Sequence, residues 1–275
     1  MRPRGSGPSW RNAGPPSADA ETPVAVPGRP PLPPGEGLAS RAAAALAELR
    51  RPGPPRLEVL LPGEIGPPDP AVVGLLSGSF DPPTIAHRAL ARGLVQMGCE
   101  LVLLVWSVRT LPKERAPGGD PSPPLLDAAV RIDCLAALAG SCSGGLGVAL
   151  SSHGLIAEQA EAAARRFPGA RLVVGMGSDK VLQLLDPRWY EDRTAALDHL
   201  TALATVAYAA RAGEEEMVRK ALADPANARW RHAFASLHCD PAVAAVSSRE
   251  VRSRLRAGED VSALVPPEVL RLLPC

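Results

Sequence analysis

The residues of this chain that could work on a phosphate lie in two short stretches far apart in sequence. The first is Gly78-Ser79-Phe80-Asp81-Pro82-Pro83-Thr84-Ile85-Ala86-His87, and the second is Val246-Ser247-Ser248-Arg249-Glu250-Val251-Arg252. An imidazole, a guanidinium and serine hydroxyls all donate hydrogen bonds to anionic oxygen, and a guanidinium does so with a fixed charge. Gly78 lets the backbone approach a ligand or adopt a positive φ, while Pro82 and Pro83 stiffen the chain that follows. A third stretch, Gly175-Met176-Gly177-Ser178-Asp179, is a second glycine-rich turn with a carboxylate at its end.

These residues need elements that hold them. Val72 to Leu76 is an apolar run of strand length, and it delivers the first turn to one edge of a sheet. Downstream of Thr84, an N-cap or first-turn residue, Ile85, Ala89, Leu90, Leu94 and Met97 recur at helical spacing and give one buried face. The N-terminus of that helix aims its free N–H groups at the same edge. His87 falls in the first helical turn, so its ring either lies over the crevice or packs half-buried. Capping and packing would equally account for Ser79 and Thr84. At the other end, Ser247 and Glu250 form a capping box that starts a helix, and Arg252 in its first turn completes a site for phosphate oxygens.

From Ala71 onward apolar runs alternate with helical patterns. Strands are expected at Leu101–Trp106, Leu146–Leu150, Arg171–Val174, Leu203–Ala209 and Ala233–Leu237, with helices over Leu125–Ala139, Ile156–Arg166 and Glu214–Ala223. That alternation predicts an α/β fold with a doubly wound, mostly parallel, Rossmann-like sheet, whose ligand lies across a topological switch point. Residues 1–37 are dense in Pro and Gly and are expected to be disordered. Residues 38–70 are expected to be a short helix and linker, with a short strand at Leu57–Leu61. Residues 71–275 then form the domain.

The 275 residues carry a net charge of +1, which argues against a general nucleic-acid or membrane-surface binder. Five cysteines with no Cys-x-x-Cys pair suggest reduced thiols, a cytoplasmic setting and no zinc site. Arg2, Arg4 and Arg11 leave organellar targeting open, although the prolines oppose an amphipathic helix there. No apolar stretch is long enough to span a bilayer. The charge of Arg109 and Arg115, in the loop after the second strand, is read as solvated, and Arg131 as either a site residue or a structural ion-pair partner.

The ten residues from Gly78 to His87 resemble the first signature of the nucleotidyltransferase superfamily, and Val246–Arg252 resembles its Ile-Ser-Ser-Thr-x-Ile-Arg motif, with Arg249 in place of Thr. Gly175-Met176-Gly177-Ser178-Asp179 followed by Pro187-Arg188-Trp189 is similar to the Gly-x-Asp … Pro-x-Trp segment of nicotinate and nicotinamide mononucleotide adenylyltransferases. Leu111-Pro112-Lys113 resembles their Pro-Pro-His-Lys segment without its His. Thr84 stands where many members have a second His. In the loop after the third strand, Ser152-His153-Gly154 replaces Ser-Tyr-Thr, which leaves the preferred pyridine substituent open.

The resemblance implies adenylyl transfer from ATP to a pyridine mononucleotide, with Mg²⁺ accompanying ATP and no side-chain nucleophile. It implies that His87, Lys113 and Arg252 stabilise the transferring phosphates, and that Gly78, Ser79, Phe80, Thr84, Gly175, Asp179 and Ser248 bind the nucleotide. Trp189 would stack on the pyridine, or else pack, and His153 would touch the substrate. No protein-held metal is expected, and a homo-oligomer is compatible with the sequence. Two other readings remain: phosphopantetheine adenylyltransferase, which shares the first motif and the Thr, and a degenerate module that binds a dinucleotide without making it.

Overall fold

The computed structural model describes residues 37–61, 69–109, 123–142, 145–211 and 213–274. The apolar runs form one seven-stranded sheet: β1 (Leu57–Leu61), β2 (Val72–Ser77), β3 (Leu101–Ser107), β4 (Leu146–Ser151), β5 (Arg171–Gly177), β6 (Ala204–Ala209) and β7 (Phe234–Ser236), in the order β1-β4-β3-β2-β5-β6-β7. β2 to β7 are parallel, and β1 runs antiparallel to β4 at the edge. Without β1 the order is that of a doubly wound dinucleotide-binding sheet, in which the strand order reverses between the first and fourth strands. Here those strands are β2 and β5, paired from Val72 opposite Arg171 to Leu76 opposite Gly175.

The central strands read as unbroken apolar runs because both faces are covered. Along β2, Val72 and Leu76 turn to one core while Val73 and Leu75 turn to the other. The first core takes in α1 (Leu38–Leu49), α2 (Ile85–Gln96), α3 (Ala128–Ser141) and α9 (Ser248–Arg256), through Ala42, Leu94, Leu135 and Val251 among others. The second takes in α4 (Ile156–Arg166), α5 (Ser178–Leu185), α6 (Arg193–Leu203) and α7 (Glu215–Ala223), through Ala163, Val181, Leu197 and Val218. Two one-turn helices, α8 (Pro241–Ala244) and α10 (Pro267–Leu270), close the first side. All described residues belong to one compact unit.

The expected boundary at Ala71 needs correction. Residues 38–61 are part of the fold: Ala42, Ala45 and Leu49 of α1 are buried, and β1 hydrogen-bonds to β4 from Leu57 opposite Ser151. Small alanines let α1 pack closely, and β1 covers a strand edge that would otherwise lie open. The stretch 224–231, which the sequence left unassigned, leads into a 3₁₀ turn over Ala228–Ala233. It buries Trp230, whose Nε1–H donates to Asp198 at 2.6 Å while the guanidinium groups of Arg193 and Arg229 lie 5.0 and 5.4 Å from the ring centre. The expected tail, apart from Gly37, lies outside the described residues. Among the described residues no helix is long and apolar enough to cross a membrane.

Candidate active site

β2 ends at Ser77, and the turn that follows reverses on a non-glycine residue with positive φ, Phe80 at 47°. The Phe80 ring is fully buried and folds back beneath Gly78, so a Cβ at Gly78 would sit 3.0 Å from the ring. Glycine is therefore required there by packing as well as by any ligand. Thr84 follows as the N-cap of α2, and its backbone N–H donates to His87 Nδ1 at 3.0 Å. This is a capping box with histidine in the place usually held by glutamate. It fixes the tautomer: Nδ1 accepts, so the neutral ring carries its proton on Nε2, the nitrogen left to face the cavity.

His87 is half-buried at the cavity wall, and desolvation lowers its pKa from 6.5 to about 4; Asp179 pulls it back up and Arg211 pushes it further down. The imidazole is thus a neutral hydrogen-bond donor at physiological pH. Phe80 packs against it, ring centres 4.9 Å apart.

The second stretch is locked onto the first. Ser247 caps α9 by accepting the Glu250 N–H at 3.2 Å. Glu250 does not close a reciprocal box, since its carboxylate takes Arg254 at 2.8 Å. Ser248 Oγ donates to the Pro82 carbonyl at 2.8 Å, and Arg252 Nη1 donates to the Asp81 carbonyl at 2.7 Å. The Asp81 carboxylate lies between two guanidinium groups, Arg131 at 3.2 Å and Arg252 at 3.5 Å, all of these side chains being 7% exposed. Its oxygens also accept the N–H groups of Leu125 and Leu126, at 3.1 and 2.8 Å. Arg131 is accordingly a structural ion-pair residue, with its guanidinium 4.9 Å from the Trp106 ring centre.

The end of β5 is built differently, because the strand runs through both glycines to Gly177 and passes directly into α5. At Gly175 a Cβ would lie 2.7 Å from Leu94 Cδ1 of α2, so this glycine serves packing between strand and helix. The site begins two residues later, where Gly177 precedes α5. Asp179 in the first turn of α5 pairs with Arg211 at 3.3 Å. Buried Ser178 accepts the Arg211 N–H at 3.0 Å and donates to Glu214 at 2.5 Å, which ties the segment after β6 to the start of α5.

These pieces enclose a cavity of about 430 Å³ at the carboxyl ends of the strands, within the usual size range of small-molecule sites. Of the residues singled out from sequence, Gly78, Ser79, His87, Asp179, Trp189, Ser248 and Arg252 line it together. Phe80, Thr84 and Gly175 stand behind the wall. His153 does not line the cavity either: its Nδ1 faces Ser152 Oγ at 2.8 Å, and Gly154 takes the wall position instead. Lys113 and Arg115 lie outside the described residues. Trp189 ends a 3₁₀ turn, Pro187–Trp189, capped by Asp186.

Sequence reasoning passed over Arg211, Lys180, Gln159 and Gly154 as wall residues, and read Arg109 as solvated; all five line the cavity. The signal was positional, since each lies within a short distance of a strand's carboxyl end or in the first turns of the next helix, where such sheets bind ligands. In sum the described wall carries five fixed cations (Arg109, Lys180, Arg211, Arg249 and Arg252) and one carboxylate, Asp179. That balance suits a polyphosphate, in a chain with almost no net charge. Among the described residues no group of three or more His, Cys, Asp or Glu could hold a metal ion. The donor set therefore fits a divalent cation carried in on phosphate oxygens better than one caged by the protein.

No family model matches the chain. Two curated relatives described as "Probable nicotinate-nucleotide adenylyltransferase", from Anaeromyxobacter sp. strain K and Anaeromyxobacter dehalogenans strain 2CP-1, are each 30% identical over 203 residues, covering 72% of this chain and 91% of theirs. Among solved structures, Plasmodium falciparum nicotinic acid mononucleotide adenylyltransferase complexed with APC superposes with a TM-score of 0.52 at 15% identity, covering 74% of this chain and 94% of that one. At that identity the likeness concerns the fold.

Proposed function

The chain belongs to the nicotinate-nucleotide adenylyltransferase family, and from that premise we propose that it transfers the adenylyl group of ATP to nicotinate or nicotinamide mononucleotide, giving the dinucleotide and pyrophosphate. A phosphate oxygen of the mononucleotide attacks the α-phosphorus of ATP, and the bond from that phosphorus to the β-phosphate's bridging oxygen breaks. No side-chain nucleophile is required, so the protein supplies alignment and charge stabilisation.

The observation that carries this reading is the convergence of His87, Ser248 and Arg252 on one cation-lined cavity at the switch point between β2 and β5. In the proposed assignment His87 Nε2–H, Ser79 and the N-terminal N–H groups of α2 and α9 donate to triphosphate oxygens, and Arg252 offsets the charge that develops on them. Asp81 keeps Arg252 in place. Trp189 offers its indole to the pyridine ring, and Asp179, oriented by Arg211, offers a carboxylate to a ribose hydroxyl. Mg²⁺ bound to ATP would share the phosphates with the cations of this wall, and the metal would supply charge neutralisation on the phosphate oxygens.

The test is a pyrophosphate-release assay with ATP and each mononucleotide, paired with chromatographic detection of the dinucleotide. Release that depends on the mononucleotide and matches dinucleotide formed mole for mole is expected. Dinucleotide binding without pyrophosphate release over hours would overturn the proposal in favour of a binding module.

A further inference from the structure

The start of α9 brings four polar residues to the cavity wall, Ser247, Ser248, Arg249 and Arg252. Three of them are already committed to the protein. Ser247 Oγ accepts the Glu250 N–H, Ser248 Oγ donates to the Pro82 carbonyl, and Arg252 is held by the carbonyl and carboxylate of Asp81. Arg249 differs: it is exposed, and it has neither a hydrogen bond nor an ion pair with the described residues. Glu250, the one carboxylate of α9, is taken by Arg254 at 2.8 Å, so the helix does not neutralise Arg249 itself.

Arg249 and Arg252 stand three positions apart, so they share one face of α9 a turn from each other. Arg252, 6% exposed, is the inner cation of that line and Arg249 the outer one. The backbone N–H groups of Ser248 and Arg249 likewise find no acceptor among the described residues, and the helix dipole adds to the positive potential there. This part of the wall offers cations and N–H groups without an aromatic ring; Trp106, Trp189 and Tyr190 come from other elements. Such a surface suits the part of a ligand that is all phosphate.

Of the groups that meet in adenylyl transfer, the β- and γ-phosphates alone bear charge and no ring, and they leave together as pyrophosphate. Resting on the adenylyl-transfer reading above, we propose that Arg249 binds the β- and γ-phosphates of ATP and holds the pyrophosphate formed from them. The bonds made and broken are those of that reaction; Arg249 transfers no proton and acts on the charge that collects on the leaving group. Where the resembling motif has threonine, this chain has therefore gained a cation for the leaving group, and the departure strengthens the site instead of impairing it.

The experiment titrates ATP, AMP and inorganic pyrophosphate, each with Mg²⁺, calorimetrically into the full chain and into Arg249→Thr and Arg249→Lys variants, and measures initial rates of dinucleotide formation in the same proteins. Arg249→Thr should weaken ATP and pyrophosphate about fivefold or more, the scale of one lost charge-assisted contact. AMP, which lacks both phosphates, should stay within about twofold, as should KM for the mononucleotide, while KM for ATP rises with its dissociation constant. Arg249→Lys, which keeps the charge, should lose less than Arg249→Thr, and the gap between parent and Arg249→Thr should narrow as salt is raised. Equal losses for ATP and AMP, or ATP and pyrophosphate affinities within about twofold of the parent in Arg249→Thr, would overturn the assignment and leave adenylyl transfer standing. A parent chain that binds ATP but forms no dinucleotide would count against the catalytic reading instead, and the titrations would still decide whether Arg249 meets these phosphates. A parent that binds neither ATP nor pyrophosphate would overturn both.

Discussion

Two of the parallel strands, β2 and β5, end side by side, and in sequence their glycine-rich ends look like equivalent phosphate-cradling turns. Their construction differs. After β2, Gly78 is on the cavity wall and the next residues are cross-braced: Phe80 lies beneath the glycine, Asp81 is gripped by two arginines, and Ser248 and Arg252 reach across from the far end of the chain. At the end of β5, Gly175 is a packing residue against Leu94, Gly177 reaches the cavity, and Asp179 in the first turn of α5 is held by an ion pair with Arg211. The first turn is built as a rigid anion holder; the second places one carboxylate. A glycine marks where backbone must come close to something, and only the neighbouring elements say whether that is a ligand or a leucine.

Removing the brace of the first turn should have the largest effect. Asp81→Ala leaves the buried guanidinium groups of Arg131 and Arg252 facing each other without their carboxylate, and loss of one partner from a buried ionic cluster costs about 3–5 kcal/mol. Chemical denaturation should register that loss, whereas removing the exposed Asp179–Arg211 pair by Asp179→Ala should cost under about 1 kcal/mol. Equal costs for the two would erase the distinction drawn between the turns.

Alanine at each glycine sharpens the contrast. Gly175→Ala must displace Leu94 and should destabilise by about 1–3 kcal/mol, as overpacking does, while kcat/KM of the folded protein stays within about threefold of the parent. Gly78→Ala presses on the Phe80 ring beneath a wall residue, and it should reduce kcat/KM about tenfold or more, a change of about 1.4 kcal/mol in the barrier. The reverse pattern would assign the ligand to the second turn.

The last expected effect concerns pH. His87 in the folded chain has its pKa lowered to about 4, against 6.5 unfolded. The unfolded chain therefore binds more protons between these values, so stability from this residue is present above pH 6.5 and is lost as pH falls toward 4. His87→Gln should flatten that part of the stability profile. For catalysis the neutral ring implies no loss of kcat/KM from pH 6 to 8 attributable to His87. A fall across that range that disappears in His87→Gln would mean the ring acts as a cation in the free enzyme.

What could be read without coordinates followed from local physics. The unbroken apolar run of β2, the helical spacing from Ile85 to Leu94 and the serine cap at Ser247 each state their structure in a few adjacent residues. The contributions that required the fold are long-range ones. A short helix and a strand at Leu57–Leu61 are legible, but their place in the domain is not, because the alanines of α1 and the short apolar run of β1 acquire meaning only against the β4 edge. Arg131 sits between Val130 and Ile132 on a buried helix, and its partner Asp81 is 50 positions earlier in sequence. Arg109 looks like any loop cation until α1 is seen to hold it. His153, by contrast, was read by its place in a loop, and the hydroxyl of Ser152 draws its ring away from the cavity.

The account rests on two distant stretches of chain acting on one triphosphate, and steady-state pyrophosphate release by His87→Ala and Arg252→Ala tests this most directly. Loss of one preorganised donor costs about 10²- to 10³-fold in rate. Each variant should lose activity on that scale while retaining the parent's fold by circular dichroism; activity within about threefold of the parent in both would contradict the shared site.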